Sequence, residues 1–436
     1  MFAYYLQLGL RSLKRNPILT LLMVFGIALG IGTSMTSLTV FYLMGSDPIP
    51  WKSDKLFIAQ VDSWDPLQAF DEPNLPPDQM TYRDASTLVE DGKADRQTAM
   101  YKIAWPVQPE NPEIKPFMGL GRATYGDFFP MFDTPFLYGN GWDRGGDKEH
   151  ARVVVLSRET NEKLFGGQNS VGKRVKLNDV EFTVAGVLDT WEPRVKYYDL
   201  TNGTLNDSED FYVPFTTSIE LKTNSAGNNN CWNNNTAEGW EGYLQSECIW
   251  IQYWVELSSA SRVAEYRSYL DNYVNEQKKL GRFPRPLNNR LHNVTEWMEV
   301  QKVVPQDVRI QVGLSFAFLA VCLVNTIGLL LAKFLRKSGE IGLRRALGAK
   351  KSQLFTQYIV ESGVIGVSGG LLGLLLTFLG LTAVRALNEG FEQVARLDWV
   401  MVITTILLSV AAAIVAGLYP TWRACQIAPA AQLKTQ

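Results

Sequence analysis

Four uncharged apolar stretches, divided one against three by a polar segment of 260 residues, constrain this 436-residue chain more than any other feature. They run Asn16–Ser46, Ile310–Ala332, Ser362–Val384 and Trp399–Trp422. Each reaches the roughly 20 residues that an α-helix needs to cross the hydrocarbon core of a bilayer. The pattern predicts a membrane protein with four transmembrane α-helices (1+3). A large mixed α/β extracytoplasmic domain is inserted between the first and second.

Averages conceal this layout. Mean hydropathy is only −0.06, because the polar segment dilutes the helices. Formal net charge is −2, which gives no sign of a nucleic-acid partner. The distribution of Lys and Arg is more telling. Arg11, Lys14 and Arg15 precede span one; Lys333, Arg336, Lys337, Arg344, Arg345, Lys350 and Lys351 lie between spans two and three; Arg423 and Lys434 follow span four. The connection between spans three and four mixes Arg385 and Arg396 with Glu389, Glu392 and Asp398. The positive-inside bias therefore predicts cytoplasmic termini and a cytoplasmic 333–351 loop, with 45–306 and 385–398 outside. The first apolar run exceeds the roughly 7–15 residues of a signal-peptide core, and no A-x-A site follows it, so it reads as a retained anchor.

The expected order is an amphipathic surface helix at 1–15, span one at 16–46 and the external domain at 47–306. Span two (307–333), a cytoplasmic loop (334–353), span three (354–385), an external loop (386–397), span four (398–422) and a cytoplasmic tail (423–436) follow. Within the external domain, Arg152–Leu156 and Trp250–Leu257 read as strands, and Lys173–Leu177 with Glu181–Leu188 as a hairpin turning at Asn178-Asp179. Helices are expected near Pro77–Glu90, Glu159–Phe165 and Ser261–Lys279. The Asn-, Gly-, Ser- and Thr-rich stretch Thr201–Glu238 reads as a surface excursion. Cys231 and Cys248, 17 positions apart, can pair in an oxidising compartment, which would contribute roughly 3 kcal/mol through loop closure. Two buried thiols are the alternative. Ten of the twelve Trp lie between positions 51 and 297, and most read as core packing. In the spans, Gly26/Gly30, Gly366/Gly370 and Gly369/Gly373 have the G-x-x-x-G spacing that lets helices approach closely.

Two motifs mislead. Gly167–Arg174 (GQNSVGKR) nearly matches a phosphate-binding loop, but Arg174 stands where the Mg²⁺-binding hydroxyl belongs. Gly366–Gly370 (GVSGG) matches a nucleophile elbow, but Ser368 sits in a predicted membrane helix, away from His150 and His292. Two isolated histidines make no metal cluster. No catalytic, cofactor or metal site is expected. Glu361, a carboxylate close against span three, reads as an interfacial or interhelical polar contact.

The loop after span two is more informative. In Lys337–Gln353 the apolar Ile341, Leu343, Ala346 and Leu347 alternate with Glu340, Arg344, Arg345, Lys350 and Lys351, as in a short amphipathic helix; Gly339, Gly342 and Gly348 break or cap it. Its literal sequence, Gly339–Lys350 (GEIGLRRALGAK) followed by Phe355–Leu376, closely resembles the segment after the second span in MacB-type ABC transporter permeases. These belong to the macrolide-exporter and lipoprotein-release superfamily. Tyr125–Gly139, Val153–Gly186 and Gly417–Leu433 (GLYPTWRACQIAPAAQL) resemble further blocks of that family, in the right order.

The resemblance implies a non-catalytic permease subunit in a bacterial inner membrane. It would pair with a second permease, identical or related, above two ABC ATPases that hold the ATP and Mg²⁺. Glu340–Gly348 would be the coupling helix that docks on the ATPase. Span two would carry the movement outward to the external domain, which would act with a periplasmic adaptor and an outer-membrane channel. Only fifteen residues precede span one and no complete phosphate-binding loop is present, so the ATPase is expected on another polypeptide. The Thr201–Cys248 excursion has no counterpart in the family pattern. Export of a peptide, toxic small molecule or lipid-linked cargo is the first expectation. Regulation of a cell-wall hydrolase, lipoprotein release and a membrane-anchored enzyme rank below it.

Overall fold

The computed structural model describes residues 7, 16–72, 74–203, 208–233, 238–387 and 399–426. The chain divides into two compact units: Asp47–Val303, and Met1–Ser46 with Val304–Gln436. Apart from Gln7, the surface helix expected at 1–15 lies outside the described residues, as do most of the 386–397 loop and the tail from 427.

The inserted domain, Asp47–Val303, is built on a mixed sheet. Its strands are β1 (Leu56–Gln60), β2 (Met80–Thr81), β3 (Arg96–Gln108), β4 (Phe117–Thr124), β5 (Phe136–Gly139), β6 (Val153–Leu156), β7 (Arg174–Leu177), β8 (Val180–Leu188), β9 (Phe211–Pro214), β10 (Ile249–Glu256) and β11 (Arg290–Asn293). The main path is β11-β1-β10-β3-β4-β9-β6-β8-β5; β2 pairs with β10, and β7 with both β3 and β8. Alternation along the strands sends successive side chains to opposite faces. Phe57, Ala59, Ala99, Tyr101, Tyr253 and Val255 fill one core. Leu56, Ile58, Met100 and Trp254 fill another. With both faces covered, β10 (IWIQYWVE) is buried at every position.

Local chemistry sets the edges of these elements. Asn178 and Asp179 both take positive φ (48° and 62°), the conformation a two-residue hairpin turn requires between β7 and β8. The helix Ala260–Lys279 is capped by Ser259, whose hydroxyl accepts from Arg262 N, and buries Tyr266, Leu270, Tyr273 and Val274 at helical spacing. Trp250, Trp254 and Trp297 are fully buried, whereas Trp51 is exposed. Cys231 and Cys248 are joined by a disulfide.

The second unit holds helices at Pro17–Gly45, Gln306–Arg336, Lys351–Leu387 and Trp399–Cys425, spans one to four. All four are long and apolar enough to cross a membrane. Glycine decides how closely they pack. A methyl built on Gly366 would stand 2.0 Å from Ala413 Cβ, and one on Gly370 would stand 2.2 Å from Ser409 Oγ, so spans three and four touch through backbone. The same construction on Gly369 and Gly373 meets Ile27 and Ile31 of span one at 2.8 and 3.1 Å. On Gly30 it meets Leu319 at 2.8 Å; Gly26 has more room, with Thr326 Oγ1 at 3.8 Å. Hydroxyls bond within a helix, as in Thr326 Oγ1 donating to Cys322 O (2.8 Å), or between helices, as in Ser34 Oγ donating to Ser315 O (2.9 Å), while those of Thr20 and Thr421 are buried without a partner among the described residues.

Several boundaries move. The inserted domain ends at Val303 rather than 306, because Pro305 caps a helix that starts at Gln306. Span two runs to Arg336, one turn beyond 333, and span three starts at Lys351 rather than 354. The intervening loop is mostly helix, Ser338–Ala346. Span four continues to Cys425, past 422.

Candidate functional site

The residues singled out in Glu340–Gly348 form a corner with the ends of spans two and three. Span two stops at Arg336, and Lys337 is the junction from which the short helix Ser338–Ala346 begins. Gly348 closes the corner at φ +97°, a conformation that favours glycine, with its N–H bonded to Arg345 O.

The short helix is amphipathic in the way its spacing predicts. Ile341 is buried with Leu330, Phe334, Leu354 and Tyr358, and the Phe334 and Tyr358 rings lie 4.6 Å apart. Arg344 donates to Glu340 Oε1 (2.7 Å) within the helix and to Gln357 Oε1 of span three (3.0 Å). The opposite side presents Leu343 and Leu347, 61 % and 79 % exposed. One apolar residue thus fastens the helix inward while two face outward.

Behind the helix lies an ionic cluster that sequence reading underestimated. Glu361 of span three is 2 % exposed and lies 2.7 Å from the ammonium of Lys333, which is wholly buried. Lys337 reaches the same carboxylate at 3.4 Å. Glu361 is therefore an interhelical contact, one of the two readings its position allowed. The available signal was two lysines at i, i+4 at the end of one span and a carboxylate early in the next.

The inserted domain hides a second cluster that went unread. Arg122 of β4 is fully buried; Nε donates to Glu209 Oε1 (2.7 Å), and Nη2 pairs with Asp199. Glu209 Oε2 also receives Tyr198 OH (2.9 Å), Tyr212 OH (3.2 Å) and Lys196 Nζ (3.2 Å). Gln252 and Asn202 donate to Asp199 Oδ1 (2.9 and 2.6 Å). Burial alone would push the Glu209 carboxyl upward, but Lys196 and Arg122 reverse this and hold it well below the usual carboxylate range. The signal was an arginine within the strand FMGLGRAT.

The two misleading motifs fall apart structurally. Gly172 of the phosphate-loop look-alike sits in the turn before β7, and Ser368 lies inside span three. His150 pairs with exposed Glu220 (3.1 Å), and His292 contacts Gln60 (2.9 Å).

Comparison with known proteins fits this architecture. The MacB-like periplasmic core domain matches residues 20–273, and the FtsX-like permease C-terminal domain matches 312–429. The chain belongs to the MacB/FtsX-type family of ABC transporter permeases. The macrolide export ATP-binding/permease protein MacB of Chlorobium luteolum is 23% identical over 68% of this chain and 40% of its own length. MacB of Azoarcus sp. is 20% identical over 98% of this chain and 59% of its own length. The chain thus spans about two fifths to three fifths of the length of these relatives. Among solved structures, the periplasmic region of MacB from Actinobacillus actinomycetemcomitans aligns at TM-score 0.37 and 16% identity, covering 58% of this chain and 94% of that one.

Proposed function

We propose that this chain is the permease subunit of an ABC transporter. It couples ATP hydrolysis on a separate ATPase to movement of its periplasmic domain, exporting periplasmic or membrane-derived cargo. The observation that carries this reading is the short helix Ser338–Ala346, held inward by Ile341 and presenting Leu343 and Leu347 outward. Exposed leucines on a basic helix between two spans suit docking on a cytoplasmic protein better than contact with water. ATP and Mg²⁺ belong to that partner; this chain supplies the lever. A second permease, identical or related, completes the pair, and an adaptor with an outer-membrane channel would receive cargo on the far side. The reading requires cytoplasmic termini, with the short helix and the inserted domain on opposite sides of one bilayer.

Thiol labelling tests this requirement. Native Cys322 and Cys425 are buried, so cysteines introduced at exposed Met118 and Leu347 report cleanly. An impermeant maleimide should label Met118→Cys in spheroplasts and Leu347→Cys only after permeabilisation. Equal labelling of both before permeabilisation contradicts the reading.

A further inference from the structure

A buried lysine–carboxylate contact between membrane helices is expensive. Charges at such positions face the helix bundle and mark function by default, and apolar residues of similar volume often stabilise as well or better. Lys333 and Glu361 are both essentially inaccessible. Their surroundings are apolar: Leu330, Phe334, Ile341 and Tyr358 are buried alongside. The position is as informative as the burial. Lys333 lies in the last turn of span two, Lys337 is the junction to the short helix, and Glu361 belongs to span three. One carboxylate thus contacts both sides of the corner. Gln357, one turn before Glu361, receives Arg344 from the short helix itself.

The type of cation also matters. A lysine ammonium is a compact charge on a flexible stem and keeps its attraction as the angle changes, whereas a guanidinium fork demands one geometry. A joint made from two lysines and one carboxylate can swivel without leaving the buried charge unpaired.

We propose that Glu361 is the pin of the corner: by holding Lys333 and Lys337 together it keeps the short helix coupled to spans two and three while the angle between them changes. This deepens the permease reading and rests on it for the source of the load. Glu361 is here a positioning residue; it touches no substrate.

The test uses the intact chain in lipid nanodiscs, with hydrogen exchange measured peptide by peptide. Glu361→Gln keeps the shape and removes the charge. It should raise exchange across Ser338–Ala346 about tenfold, by freeing a local opening that the pin restrains, while Trp399–Cys425 stays unchanged. The full reversal Lys333→Glu/Lys337→Glu/Glu361→Lys should restore exchange to within about twofold of wild type, because both contacts are re-formed. If Glu361→Gln does not accumulate, Lys337→Met leaves the Lys333–Glu361 pair intact and should give a smaller rise, about threefold, confined to the same helix. Unchanged exchange at Ser338–Ala346 in the variant that accumulates overturns the pin. So does an even rise across all four spans, which would mean general loosening. The exchange arm needs no ATPase. If the wild-type chain recruits no ATPase, the permease reading fails while the pin stands or falls on exchange alone.

Discussion

The chain buries charge in two places and does so differently. In the inserted domain, the Arg122 fork meets two carboxylates, and Glu209 accepts from a guanidinium, an ammonium and two tyrosines. At the corner, Glu361 meets two lysines, at 2.7 and 3.4 Å, among apolar neighbours. A buried fork set between two carboxylates fixes geometry; two flexible point charges sharing one carboxylate preserve attraction while geometry changes. The first therefore anchors residues 196–202 and Glu209 on the sheet. The second suits a joint.

The largest effect expected from this contrast is at Arg122. Arg122→Met leaves Asp199 buried without the guanidinium it pairs with and Glu209 with Lys196 as its remaining cation, a loss of about 3–5 kcal/mol. Thermal unfolding of the intact chain should show it, through the tyrosine and tryptophan signal of the inserted domain. Arg122→Lys should recover only part of that loss, since an ammonium cannot reproduce the fork. Full recovery by lysine would erase the distinction between the two clusters.

A smaller effect comes with acid. The folded-state pKa of Glu209 is depressed below its ordinary value of 4.5. Its contribution is therefore complete above about pH 4.5 and fades as pH falls toward the folded value, at no more than about 1.4 kcal/mol per pH unit. Stability measured from pH 6 down to pH 3 should fall below pH 4.5, and Glu209→Gln should flatten that part of the profile. An unchanged slope in the variant would place the acid sensitivity elsewhere.

Much of this was legible in the sequence because it depended on pattern. Span number, the 1+3 order, the β7–β8 hairpin at Asn178-Asp179 and the short helix at 338–346 follow from local periodicity and turn chemistry. The sheet order did not: β4 and β9 are parallel neighbours with Arg122 opposite Tyr212, which brings Glu209, just before β9, to Arg122 from 87 residues away, and spacing cannot show that. The ionic clusters were hidden for the same reason. Each charged residue has an ordinary solvated reading until the tertiary fold removes the water. Span ends were misjudged by about a turn at Arg336 and Cys425, because a helix continues through basic residues that end an uncharged run.

The outward face of the short helix is where the proposed ATPase would dock, and affinity capture tests it directly. The tagged chain, solubilised from native membranes, should bring down a nucleotide-hydrolysing partner. Leu343→Asp/Leu347→Asp should insert normally and lose that partner at least tenfold, since an interface core does not tolerate two buried unpaired carboxylates. Undiminished capture of the ATPase by the double variant would contradict docking at this helix, and with it the route by which force is proposed to enter the protein.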